Sequence, residues 1–177
     1  MGRPVLRGDS LAVQPIGVDR PRVSSRIMKF GHFQAIVLAG LAFGGLASAE
    51  AQSVVFKHPL DDSPLEVKLL PGEKESDAVK EFHATGRVRY HTDAMALSEG
   101  KELYERHCQS CHLPDGSGRL GPSLITDDWK YKRVATDVGM FEVIYAGAAG
   151  AMQSFFRRGL TQDETLKIIA YTRALKK

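Results

Sequence analysis

The chain has 177 residues, 43% of them apolar and 25% charged, with two cysteines and a formal charge of +3. That balance suits one folded domain and excludes a disordered chain, a collagen-like repeat and a disulfide-stapled scaffold. A basic surplus points first to polyanion partners, because clustered Lys and Arg condense on phosphates. Where the charge lies along the chain therefore decides the question.

Residues 1–49 have the layout of a secretory signal peptide, with Met28 as a second candidate start. Arg26, Lys29 and His32 precede the apolar run Ala35 to Leu46, and Ala47-Ser48-Ala49 supplies an A-x-A cleavage site; Ala49-Glu50-Ala51 is an alternative. The run is shorter than the roughly 20 residues a bilayer span needs. Its glycine- and alanine-rich composition makes a poor core helix. The leader holds six Lys/Arg against two Asp, so the remaining 128 residues carry 18 basic and 19 acidic side chains, a net of −1. A nucleic-acid function loses its support, since no stretch interleaves aromatic and basic residues.

Residues 50–96 read as an N-terminal extension. Val54-Val55-Phe56 and Leu65 to Leu69 flank a turn-rich Pro59 to Pro64 connection, which predicts a small β-hairpin. Ser76 caps a short helix presenting Val79 and Phe82. Residues 97–177 form the second part. Ser98, followed by Glu99, is the expected N-cap of a helix carrying Leu97, Leu103 and Tyr104 towards Cys108. A second helix is expected from Asp137 to about Tyr145, ending at the small-residue stretch Ala146 to Gly150. A third opens on the capping box Thr161 to Glu164 and carries Leu166, Ile169, Ala170 and Tyr171.

Both cysteines lie in Cys108-Gln109-Ser110-Cys111-His112, the C-x-x-C-H haem-attachment signature. Two thiols three residues apart on a helical turn can both form thioethers with haem vinyl carbons, and the adjacent imidazole then meets the iron. A thioredoxin-like pair would open a helix after a strand, whereas this one ends a helical stretch. A structural zinc would need a fourth ligand, and there is no second C-x-x-C or H-x-x-x-H. A Cys108–Cys111 disulfide would close too small a loop to stabilise much. For the sixth iron position the candidates are Met95, Met140 and Met152, with His83, His91 and His107 as bis-His alternatives. Met140 falls on a helical stripe that favours a core role. Met152 follows the small-residue loop, where backbone approaches a flat ligand closely, and is the chosen ligand.

These residues resemble class I cytochromes c: Gly100-x-x-x-Tyr104 is similar to the small-aromatic pair of a helix that crosses the C-terminal helix near Ala170-Tyr171. Gly121-Pro122-Ser123-Leu124 is similar to a G-P-x-L stretch whose proline carbonyl orients the axial His, which gives Pro122 that role towards His112. More particularly, Gly100 to Tyr104, Gly118 to Pro122, Asp128 to Tyr131, Thr136 to Glu142 and Ala146 to Met152 resemble the cytochrome cL family, electron acceptors of quinone-dependent methanol dehydrogenases.

The resemblance implies a mainly α class I cytochrome c fold, three to five helices around one covalently bound haem c, with the extension in front. It also implies Met152 as distal ligand and Trp129 and Tyr131 beside the haem propionates. The protein is expected to be a periplasmic monomer without stable membrane insertion. It would take electrons from a PQQ-dependent methanol or alcohol dehydrogenase and pass them to a downstream cytochrome c or oxidase, with no turnover of its own. Some relatives bind Ca2+ near the haem, without assignable ligands in this chain. Two features depart from the family: Gln153-Ser154-Phe155-Phe156-Arg157-Arg158 replaces the usual Gly-Pro after the axial Met, and the mature charge is near neutral rather than strongly acidic. The second leans towards the acceptor of a lanthanide-dependent enzyme. The alternatives are a cytochrome subunit or donor in another respiratory chain, membrane-held if the leader stays uncleaved, and an open-site haem sensor or enzyme.

The charge is also polar along the chain: residues 50–129 carry a net of −6 and residues 130–177 a net of +5. Lys130, Lys132, Arg133, Arg157 and Arg158 bracket Met152, placed to offset haem propionates or steer an acidic redox partner.

Overall fold

The computed structural model describes residues 53–176. The signal-peptide segment lies outside them. Five α-helices are present among the described residues: α1 (Asp77–Thr85), α2 (Ala94–His107), α3 (Gln109–His112), α4 (Asp137–Ala146) and α5 (Gln162–Leu175), with short 3-10 turns at Arg89–Thr92, Lys132–Ala135 and Phe156–Arg158. No described helix is long and apolar enough to cross a membrane.

The N-termini show how local chemistry starts each helix. Ser76 Oγ accepts the amide of Val79, as expected, and donates to Asp163 Oδ1 at 2.6 Å. Thr161 and Glu164 form the reciprocal capping box of α5. The start of α2 differs from expectation: Asp93, not Ser98, is the N-cap, its carboxylate accepting the amides of Met95 and Ala96. The preceding 3-10 turn delivers Asp93 in an extended conformation, so the helix gains its first turn before Ser98 is reached. The hairpin expected in the extension is one antiparallel bridge, Lys57 with Pro64, closed by Leu65 N–H to Phe56 at 3.0 Å.

Helices α2 and α5 cross at Gly100. A Cβ there would lie 2.2 Å from the Lys167 carbonyl oxygen, so only glycine permits the approach, and Tyr104 packs on Tyr171 with ring centroids 5.4 Å apart. Helix α4 is buried from Gly139 through Tyr145. A helix covered on every side must satisfy any charge it carries: Glu142 accepts the Lys57 amide at 2.7 Å and pairs with Arg133 at 2.9 Å.

The extension shares this core. Phe56, Phe82 and Phe141 form a triangle with centroid separations of 5.8, 5.3 and 5.0 Å. Polar bonds seal its edge: His83 Nε2 donates to Gln162 Oε1 at 2.7 Å, Gln162 N–H to Glu73 at 2.8 Å, and Lys68 N–H to the Tyr145 hydroxyl at 2.8 Å.

Candidate haem site

Between α2–α3, α4, α5 and the loops after His112 and Ala146 lies a cavity of about 390 Å³, within the size range of cofactor sites. All seven residues singled out from the sequence line it: Cys108, Cys111, His112, Pro122, Trp129, Tyr131 and Met152.

On the first wall, α2 continues through Cys108 into the single turn α3, which sets both thiols and the imidazole on consecutive faces of one short stretch. His112 is buried, and its Nδ1–H donates to the Pro122 carbonyl at 2.8 Å. That bond fixes the tautomer and leaves Nε2 as the free lone pair, which is what an iron ligand requires. Gly121 lies flat on the ring: a Cβ would come 2.5–2.8 Å from three imidazole atoms. Leu113 follows at φ 62°, ψ 159°, a conformation costly for any residue with a side chain. Its carbonyl is held by the Tyr104 hydroxyl at 2.8 Å. Burial, reinforced by Cys111, pushes the Cys108 thiol up to about 12. A thiol with a raised pKa is a poor disulfide-exchange nucleophile.

On the opposite wall, Met152 is half-buried at the end of a loop anchored to α4. Phe155 N–H donates to the Ile144 carbonyl at 3.0 Å and Ser154 Oγ to that of Tyr145 at 2.6 Å, so the loop satisfies carbonyls the helix end leaves open. Ala148 N–H closes it onto the Met152 carbonyl at 2.9 Å. Gly147, at φ 88°, allows the close return: a Cβ would meet the same carbonyl at 2.8 Å.

The other axial candidates separate. Met95 is 75% exposed and outside the cavity lining. Met140 is buried on α4 and contributes to the cavity floor. His83 is engaged by Gln162, and His91 by Asp137 at 2.7 Å. His107 lines the cavity, edge-on to Phe155 at 6.2 Å, and burial with Arg106 and Arg158 nearby lowers its pKa.

Two expectations about charge are corrected. Arg133 is an internal strut bonded to Glu142, Asp62 and the Lys57 carbonyl, and Lys132 pairs with Asp128 at 2.8 Å. Among the described residues, Lys130, Arg157 and Arg158 form no ion pair, and no group of three or more His, Cys, Asp or Glu side chains comes together as a cation cage. The calcium expectation has no such cluster to rest on. Sequence reasoning also missed Arg173. Its guanidinium lies 5.6 Å from the Trp129 ring, bonded to Asp137 and the Val134 carbonyl at 2.9 Å each. Nothing in its helical spacing distinguishes it from a solvated cation.

The residues present fit a covalently held haem: apolar walls, two thiols and an oriented imidazole on one side, a thioether on the other, and a glycine that lets backbone lie against the imidazole. The helices around this cavity define a class I c-type cytochrome. Comparison with known proteins sharpens the class. The chain is 36% identical over 144 residues to cytochrome c-L of Methylorubrum extorquens, covering 79% of this chain and 73% of that one, and it belongs to the cytochrome cL family.

The crystal structure of cytochrome CL from the marine methylotroph Methylophaga aminisulfidivorans superimposes with a TM-score of 0.67 at 34% identity, over 70% of this chain and 81% of that one. Cytochrome cL of Hyphomicrobium denitrificans gives 0.66 at 36% identity, over 71% and 76%. The profile of cytochrome C oxidase, cbb3-type, subunit III matches residues 95–171. The protein is therefore a single-haem electron carrier with a covalent haem c.

Proposed function

We propose that the protein accepts electrons in the periplasm from a PQQ-dependent methanol or alcohol dehydrogenase and delivers them to a downstream cytochrome c or oxidase. Residues 1–49 serve as the cleaved export signal. When bound, the haem supplies reversible one-electron chemistry at its iron. Cys108 and Cys111 would tether it, His112 and Met152 would supply the two protein ligands to its iron, Pro122 would orient His112, and Trp129 and Tyr131 would hold its propionates. With both His112 and Met152 as ligands, the chain would leave no open position for substrate.

The observation that carries this reading is the 2.8 Å bond from His112 to the Pro122 carbonyl, which aims Nε2 into a cavity whose lining includes Met152. The donor assignment is supported by family membership, since the relatives at 34–36% identity are cytochromes cL from bacteria of which one is described as methylotrophic. The near-neutral mature charge favours the lanthanide-dependent type of donor.

Two measurements test it. The oxidised holoprotein should be low-spin with a Met-to-iron charge-transfer band that disappears in Met152→Ala; a persistent band removes Met152 as ligand. Purified methanol dehydrogenases of both metal types, mixed with the holoprotein in a stopped-flow instrument, should reduce it. Failure of every such enzyme refutes the donor while leaving electron transfer intact.

A further inference from the structure

A second concavity, of about 630 Å³, lies on the other side of the Met152 loop. Its chemistry differs from that of the haem cavity. Arg157, Arg158 and His58 line it, no Asp or Glu among the described residues does, and the two arginines are exposed and free of ion pairs within the described residues. Asp61 lies 3.7 Å from His58 and is already bonded to Ser63. Beside the cations stands Leu60, 58% exposed. His58 and Leu60 belong to the extension, whereas Arg157 and Arg158 belong to the 3-10 turn after Met152, so neither part of the chain builds the surface alone. Met152, Ala148, Gln153 and Arg158 line both concavities.

We infer that this basic concavity docks the acidic surface of the donor protein, with a carboxylate of the donor between Arg157 and Arg158 and an apolar contact on Leu60. The inference rests on the donor reading above and adds where the donor binds and by what chemistry. A carboxylate is the group that two unpaired guanidiniums recognise through paired N–H donors. Leu60 supplies the apolar element that a cationic patch alone lacks. Occupancy brings the donor against the loop that carries Met152, next to the haem cavity. Exposed charges act chiefly on encounter rate and its salt dependence, and the complex is transient.

The test is stopped-flow reduction of the holoprotein by a protein donor, over a salt series, for wild type, Arg157→Glu, Leu60→Asp and the control Lys74→Glu, which makes the same charge change on an exposed site of the extension. Arg157→Glu is chosen because Arg158 also lines the haem cavity. At low ionic strength the bimolecular rate should fall about tenfold in Arg157→Glu and about threefold in Leu60→Asp, and stay within about twofold in Lys74→Glu. At about 1 M salt, where screening acts over roughly 3 Å, Arg157→Glu should rejoin wild type. Haem spectra, and the rate with a small reductant at about 1 M salt where the charge change is screened, should be unchanged in all variants.

Equal rates for wild type and Arg157→Glu at low salt overturn the docking surface while the donor reading stands. Arg157-dependent reduction by an acidic protein that is not a quinoprotein dehydrogenase supports the surface and refutes that donor. Arg157-dependent binding of inorganic phosphate, with no effect on protein donors, overturns it in favour of a small-anion site. No reduction of wild type by any acidic protein donor overturns both.

Discussion

The seam between the extension and α5 and the wall between α3 and Tyr131 are held in different ways. Along the seam every strong group has a partner in the chain. Asp163 takes bonds from Ser76, Tyr90 and Lys167, and Lys167 reaches Glu99 at 2.6 Å. The Phe56–Phe82–Phe141 triangle lies beneath. The wall has no helix between His112 and the turn at Lys132. Gly118, Arg119 and Gly121 hang on the carbonyls of Cys111 and His112. Its Leu120, Leu124, Trp129 and Tyr131 line the cavity. The seam is thus stabilised by the chain itself, and the wall by what the chain binds.

The largest expected effect breaks the two apart. In Cys108→Ala/Cys111→Ala, covalent haem should be lost entirely, and amide exchange should show residues 113–131 losing protection by far more than tenfold while α1 and α5 keep most of theirs. Uniform loss across the chain would mean that haem, seam and wall fold as one cooperative unit. Phe82→Ala attacks the other region. It removes a fully buried ring and should cost about 3–5 kcal/mol in denaturant unfolding of the holoprotein. The spectrum of the folded protein should stay the same; a lost Met–iron band would couple seam to site. Gly100→Ala, at the α2–α5 crossing that both regions lean on, should cost about 1–3 kcal/mol, because the added carbon meets backbone rather than a flexible side chain.

What was readable in the sequence follows the same division. Cys108-x-x-Cys111-His112, Gly121-Pro122 and the caps at Ser76 and Thr161 act over a few residues, and the spacing of each carries its geometry. The class I fold, and Trp129 and Tyr131 among the seven residues that line the cavity, came instead from the family resemblance. The start of α2 was misplaced because Ser98 and Asp93 are both good caps, and the choice between them is made by the preceding 3-10 turn. Arg133 looked like a surface cation because its partners, Asp62 and Glu142, lie 71 and 9 residues away. The extension's share in the core was hidden for a related reason: Phe56 and Phe82 pack on Phe141, 85 and 59 residues further along the chain. Pairings across such distances leave no period to detect.

The smallest expected effect tests whether the seam is truly self-sufficient. Burial alone would raise the carboxyl pKa of Asp163, but bonds from Ser76, Tyr90 and Lys167 outweigh it and hold the group below its ordinary 3.8. A depressed folded value means that the folded state binds the ionised form preferentially. That stability is present above the unfolded value and disappears as the pH falls through the lower folded one. Lys167 mirrors it. Burial opposes its charge, yet Glu99 and Asp163 hold its pKa above 10.5, so its contribution is complete below that value and is lost as the pH rises through the folded one. Asp163→Asn should therefore be less stable than wild type by about 1–2 kcal/mol at neutral pH. The two unfolding free energies should converge as the pH falls below 3.8 and on through the lower folded value, where wild type loses what the variant never had. Denaturant titrations of the holoprotein at stepped pH, with a constant haem spectrum as the check on the wall, measure this directly. A difference that persists undiminished in acid would show that Asp163 acts by shape rather than by charge.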